Sequence, residues 1–181
     1  MLSKNEFENA KNKALEYFQR AGIVITEEEK NNIEVADFGL SDLYKIGLEI
    51  LVYVNTERCC AKELVLFPHQ ICPEHRHPDV NGKQGKEETF RCRFGKVFLY
   101  VEGTPSENIS AIIPEGKENT FTVKHEIVLH PGEQYTLTPN VRHWFQAGSE
   151  GAVVSEFSTK SSDESDVFTD PEIQRMPEIE N

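Results

Sequence analysis

Between Phe38 and Ser158 the chain is cut every few residues by Gly, Pro or Asn, and the pieces between the cuts are short and rich in β-branched and aromatic residues. This punctuation leaves no room for long helices in that region. The candidate strands are 50–55, 60–67, 70–76, 88–94, 96–102, 120–124, 126–129, 134–137, 143–147 and 152–158. Roughly ten short strands without intervening helices favour an antiparallel sandwich or barrel.

The two ends read differently. Ser3 and Glu6 have the spacing of a capping box, and Phe7, Ala10, Ala14, Tyr17, Phe18 and Ala21 then follow a helical period up to Gly22, a natural stop. Thr26 and Glu29 repeat the cap pattern, so a second, short helix is expected there. Both helices should pack on the outside of the sheet. From Ser158 onward the chain is acidic and polar, with Pro171 and Pro177 breaking any long helix. That tail either is partly disordered or folds back across the barrel mouth. A length of 181 residues suits one domain. Its parts are a helical segment over 1–34, a barrel over 35–158 and an acidic segment over 159–181.

Charge narrows the partners. The net charge of −12 argues against nucleic acid and anionic membrane, and leaves a neutral small molecule such as a sugar open. No run of about 18 apolar residues is present, and the N-terminus lacks the apolar stretch of a signal peptide, so the cytoplasm is the default location. Cys59, Cys60, Cys72 and Cys92 show no CxxC spacing and read as reduced thiols.

One set of polar residues breaks the apolar faces of the expected strands. Residues i and i+2 of a strand share a face, so His75 and His77 point the same way. Glu88 shares a face with Phe90, Cys92 and Phe94, and His143 with Val141, Phe145 and Ala147. An unpaired carboxylate on an inward face is costly, and a metal ion would remove that cost. Three imidazoles and one carboxylate suit Mn, Fe, Co, Ni or Zn. His69, His125 and His130 fit no such pattern and read as structural or exposed. Trp144 points away from His143, toward barrel packing or a dimer contact.

The pattern HxH…E-x6-G, running from His75 through Glu88 to Gly95, resembles the first cupin motif, and Pro131-Gly132-Glu133 through Pro139 to His143 resembles the second. The loop between His77 and Glu88, Pro78 to Glu87, is longer than is usual in cupins. Val141 and Ala147 also depart from the common second motif. The stretch HRHPDVNGKQGKEETFRCRFGKVFLYVEG, with Pro-x3-His downstream, is more closely similar to the D-lyxose isomerases, in which the long loop is expected. The resemblance implies a cupin antiparallel β-barrel (jelly roll) and a divalent metal, Mn2+ first, on His75, His77, Glu88 and His143. It further implies interconversion of D-lyxose with D-xylulose and of D-mannose with D-fructose, in a homodimer.

Aldose–ketose isomerisation moves a proton between C2 and C1, so it needs a base beside the metal. Glu156, in the apolar strand Val153-Val-Ser-Glu156-Phe-Ser, is the candidate, because desolvation there would raise its pKa. Lys62, on the face of Cys60, Leu64 and Leu66, is the candidate to hold a sugar oxygen or shuttle a proton. Asp166 and Arg175 in the tail are further candidates to close over the sugar. An Fe(II) cupin dioxygenase and a non-catalytic ligand-binding barrel use the same shell. A phosphorylated sugar would need cations, but strand parity puts Arg91 and Arg93 on the outer face.

Overall fold

The structure, a computed structural model, describes residues 2–175 and the backbone of 179–180; Pro177 lies outside the described residues. A short strand, β1 (Leu2–Ser3), leads into helix α1 (Lys4–Arg20). The capping box closes its first turn: Glu6 N–H donates to Ser3 Oγ at 3.3 Å, and Ser3 N–H donates to Glu6 Oε2 at 3.1 Å. Helix α2 (Glu27–Asn31) starts the same way on Thr26 and Glu29. Ala10, Ala14, Tyr17 and Phe18 of α1 pack on Leu51, Val65, Phe67 and Val153, forming a core outside the sheet. Burial of each large apolar side chain there stabilises the docking by about 1.5–3 kcal/mol.

The rest is almost wholly β. The strands are β2 (Glu34–Ala36), β3 (Leu48–Asn55), β4 (Cys60–Leu66), β5 (Ile71–Arg76), β6 (Glu88–Val101), β7 (His125–Leu129), β8 (Gln134–Leu137), β9 (His143–Ser158), β10 (Val167–Phe168) and β11 (Ile179–Glu180). They run in the order β10-β5-β9-β4-β3-β2, while β6 pairs along the other edge of β9 and carries β7 and β8. The pairings within this sheet are antiparallel, and β11 joins β1 in a separate parallel pair. The sheet curls into a cupin-type barrel around a second core that includes Leu48, Ile50, Leu64, Phe90, Leu99 and Phe145.

Three details differ from the sequence reading. The expected pairs of strands 88–94 with 96–102 and 143–147 with 152–158 are each one long bent strand, β6 and β9. The bends lie at Gly95 (φ +74) and Gly151 (φ +78), where the ladder shifts register. A Cβ on Gly95 would sit 2.0 Å from the Gly151 carbonyl oxygen, so the strands approach where no side chain fits.

The bulge also moves Phe94. It was expected beside Glu88, Phe90 and Cys92, but one extra residue flips the side-chain alternation, and Phe94 packs outside with the α1 core. Finally, 120–124 is not a strand. Glu74, buried at the floor of that loop, accepts the N–H groups of Thr122 (2.6 Å) and Val123 (2.9 Å), which satisfies the backbone without a ladder.

Of the two expectations for the tail, the structure takes the second. Val167 and Phe168 pair with Arg76 and His75, so the segment lies across the barrel mouth. Trp144 is fully buried and stacks on Tyr100, with its Nε1–H donating to the Val123 carbonyl at 2.8 Å; it packs the barrel wall. No helix among the described residues is long and apolar enough to cross a membrane.

Candidate active site

His75, His77, Glu88 and His143 meet at one point. Each is buried, and each offers a ligand atom within 4.8 Å of the others. β5 and β9 bring two of them together directly, because His75 and His143 are cross-strand partners. Glu88 begins β6, and its Oε1 stands 3.1 Å from His77 Nε2 and 2.9 Å from His143 Nε2.

The orientation of the rings follows from what holds their other nitrogen. His75 Nδ1 lies 2.8 Å from the Pro73 carbonyl and His143 Nδ1 3.0 Å from the Val141 carbonyl. A carbonyl only accepts, so Nδ1 carries the proton and Nε2 faces the cluster with its lone pair. His77 Nδ1 donates instead to Asp166 Oδ1 at 2.5 Å.

This cluster passes the test of fitting a metal ion. His143 Nε2 is buried and out of hydrogen-bonding alignment with any partner, although Glu88 is close. Such an atom asks for a partner that accepts lone pairs. Ligand atoms about 2.1 Å from one ion lie no more than about 4.2 Å apart, close to the observed spread. Burial, with His143 and His77 adjacent, pushes His75 well below its ordinary pKa, so that ring is neutral as a ligand must be. Burial works against the charge on Glu88, but the Lys86 ammonium beside it is the largest of the influences that outweigh burial and hold the carboxyl well below the usual range.

Glu156 and Lys62 line the same cavity. They are cross-strand partners on β9 and β4, with Nζ and Oε1 4.0 Å apart. Lys62 Nζ also donates to Ser161 Oγ at 3.0 Å and to Asp163 Oδ1 at 3.0 Å. Arg175 completes the tail's network, donating to Asp163 Oδ2 at 2.8 Å and to Glu34. The apolar part of the lining includes Phe38, Phe90, Phe145 and Phe168.

One cavity residue escaped the sequence reading. Lys86 is buried, with Nζ 2.6 Å from Glu88 Oε2 and 3.0 Å from Glu156 Oε1, so it bridges the histidine–glutamate cluster and the candidate base. Its position two residues before Glu88 was a usable signal, since the shared face extends backward by the same alternation. The carboxylates around Lys86 prevail over burial and raise its pKa well above the ordinary value. Glu156 thus faces ammonium groups, not apolar atoms alone. Arg91 and Arg93 are directed outward, to Gln134 and Ser155. His69, His125 and His130 lie outside the cluster.

Residues 13–181 match the family model described as D-lyxose isomerase. The chain belongs to the D-lyxose isomerase family. It is 65% identical over 181 residues, all of both chains, to the D-lyxose/D-mannose isomerase of Thermosediminibacter oceani. It is 64% identical over 179 residues to the D-lyxose ketol-isomerase of a Thermofilum species, covering 99% of each, and 59% identical over 175 residues to that of Cohnella laeviribosi, covering 97% and 96%. Among solved structures it resembles the L-ribose isomerase of Cellulomonas parahominis, with L-ribose bound (TM-score 0.78, 17% identity, 95% of this chain and 94% of that one). The L-ribose isomerase of Acinetobacter sp. DL28 matches similarly (TM-score 0.77, 17% identity, 95% and 94%). At that identity the structural likeness concerns the fold. Membership of the D-lyxose isomerase family makes the chain a sugar isomerase of the aldose–ketose kind.

Proposed function

We propose that this enzyme is a metal-dependent isomerase that interconverts D-lyxose with D-xylulose, and D-mannose with D-fructose, by proton transfer through a cis-enediol. The observation that carries the reading is one cavity lined by Glu156 and Lys62 together with His75, His77 and Glu88, the cluster that His143 completes. The names of the relatives support the choice of sugars. A homodimer is part of the proposal, on the family resemblance.

The three imidazoles and Glu88 would hold the ion, with Mn2+ first and Co2+, Fe2+, Ni2+ and Zn2+ compatible with the donor set. An ion held there would supply Lewis-acid polarisation of the sugar's carbonyl and offset the charge that develops on oxygen.

The chain's own residues do the proton work. Glu156 takes the proton from C2; the C–H electron pair becomes the C1=C2 bond, and the same carboxyl returns the proton to C1. Lys62 gives a proton to O1 and recovers one from O2, so the hydroxyl count balances. Asp163 and Ser161 hold its ammonium in place. Lys86 fixes Glu156 opposite Glu88. The phenylalanines of the lining exclude water that would otherwise solvate the base.

The test is an assay on D-lyxose and D-mannose with protein stripped by chelator and then given Mn(II). Ketose formation restored by metal, with solvent deuterium incorporated at the carbon that receives the proton, is the expected result. Stoichiometric metal binding without turnover of any pentose or hexose would sink the isomerase reading on these sugars. Turnover with no solvent exchange at all would favour a hydride shift.

A further inference from the structure

The three imidazoles of the cluster are not held alike. His75 and His143 each donate Nδ1–H to the carbonyl two residues earlier in the chain, at 2.8 and 3.0 Å. Both bonds are local, made within three consecutive residues. His77, the first residue beyond β5, has no such bond to a nearby carbonyl. Its Nδ1 is instead held by Asp166 Oδ1 at 2.5 Å, 89 positions away in sequence. Both side chains are almost wholly buried, 7% and 8% exposed.

Asp166 belongs to the segment that lies over the barrel mouth, here termed the strap (residues 161–175). Two residues further on, Phe168 pairs with His75 across β10 and β5 and places its ring 5.4 Å from that imidazole. The strap therefore touches two of the three imidazoles. Its other contacts do not touch the cluster: Asp163 holds Lys62, Arg175 donates to Glu34, and Thr169 donates to Glu74 at 2.6 Å.

We propose that Asp166 is a positioning residue for the metal centre and not a sugar-binding one, and that closure of the strap and metal binding reinforce each other. The proposal rests on the metal-site reading above. A carboxylate accepting the Nδ1–H fixes the tautomer with Nε2 free, turns the ring toward the cluster and raises its donor strength. By linkage, whatever strap closure adds to metal affinity, bound metal adds to strap closure. The metal-free protein then opens at the strap more readily than the loaded one, and the barrel mouth is sealed when the ion is in place.

The experiment uses Co(II), whose visible absorption reports the ligand field, with full-length wild type, Asp166→Asn and Asp166→Glu. Dissociation constants come from competition with a chromophoric chelator. Asp166→Asn is expected to weaken Co(II) binding about 10–100-fold and to shift the visible bands, with partial rescue in Asp166→Glu. In parallel, trypsin cleavage of wild type after Arg175 is expected to slow several-fold when Co(II) is added, and to slow less in Asp166→Asn. Equal affinity and an unchanged spectrum in Asp166→Asn, with only a raised KM for sugar, would overturn the proposal and make Asp166 a sugar contact. If Asp166→Asn does not fold, the wild-type cleavage decides: a rate indifferent to Co(II) overturns the coupling. Wild type that takes up no Co(II) would overturn the metal site itself, a failure separate from that of the Asp166 assignment.

Discussion

Lys62 and Glu156 stand directly opposite one another on β4 and β9, with Nζ and Oε1 4.0 Å apart on the inner face of the barrel. Glu156→Gln keeps the shape of that side chain and removes its basicity. It is expected to lower kcat by about 10²–10⁴-fold while leaving the metal content, read by atomic absorption, unchanged. Loss of the metal in this variant would move Glu156 from proton transfer to metal ligation.

Lys86 is the buried cation between Glu88 and Glu156. Lys86→Met takes from Glu88 its nearest ammonium and leaves Glu156 only the more distant Lys62. In metal-free protein the expected loss is about 3–5 kcal/mol in urea denaturation. Mn(II) should return part of it, because the ion supplies positive charge to Glu88. A loss of the same size with and without Mn(II) would show that the ammonium and the ion act on different groups.

Gly95 and Gly82 have nearly the same φ, +74 and +75, but different surroundings. A Cβ on Gly95 would meet the Gly151 carbonyl, whereas nothing lies within 4 Å of one on Gly82. Gly95→Ala should therefore lose clearly more than the about 1 kcal/mol that Gly82→Ala loses to backbone conformation alone. Thermal unfolding of the two variants checks this, and equal Tm values would mean that the β6–β9 bend can relax.

Burial resists ionisation of Asp163, but Lys62 and Arg175 overcome it and hold the carboxyl below its ordinary 3.8. A depressed carboxyl in the folded state stabilises above the unfolded value and ceases to do so as pH falls through the folded one. The strap's hold on Lys62 should thus be complete above about pH 4 and weaken in more acid solution. Arg175→Gln should bring that weakening to higher pH. Amide hydrogen exchange across 161–175, measured as pH is lowered, reads it out; identical profiles for wild type and the variant would remove Arg175 from the account.

The residues differ in how far the sequence revealed them. His75, Glu88 and His143 were legible because each starts or lies in a regular run whose alternation marks the inward face. Phe94 was misplaced because alternation holds only until a bulge, and the bulge depends on Gly95 meeting Gly151 from a distant strand. Lys86 sits just ahead of β6, in a stretch that looks uniformly polar. The strap's strand β10 has two residues, too few to show a period, and the contact of Asp166 with His77 exists only in the folded chain.

The bend in β9 has a consequence for the distance over which the enzyme works. His143 and Glu156 are thirteen positions apart, an odd number, and in an unbroken strand they would face opposite ways. The kink around Gly151 resets the phase, so that Glu156 lines the cavity whose wall carries the cluster that His143 completes. Tyr17 of α1 lies against that kink, where a Cβ on Gly151 would come within 2.4 Å of its ring. The outer helix, which packs in the core outside the sheet, therefore acts as a gauge block. By clamping a single glycine it sets the gap between Glu156 and the four-residue cluster, and variation in α1 becomes a way to retune the site from the far side of its wall.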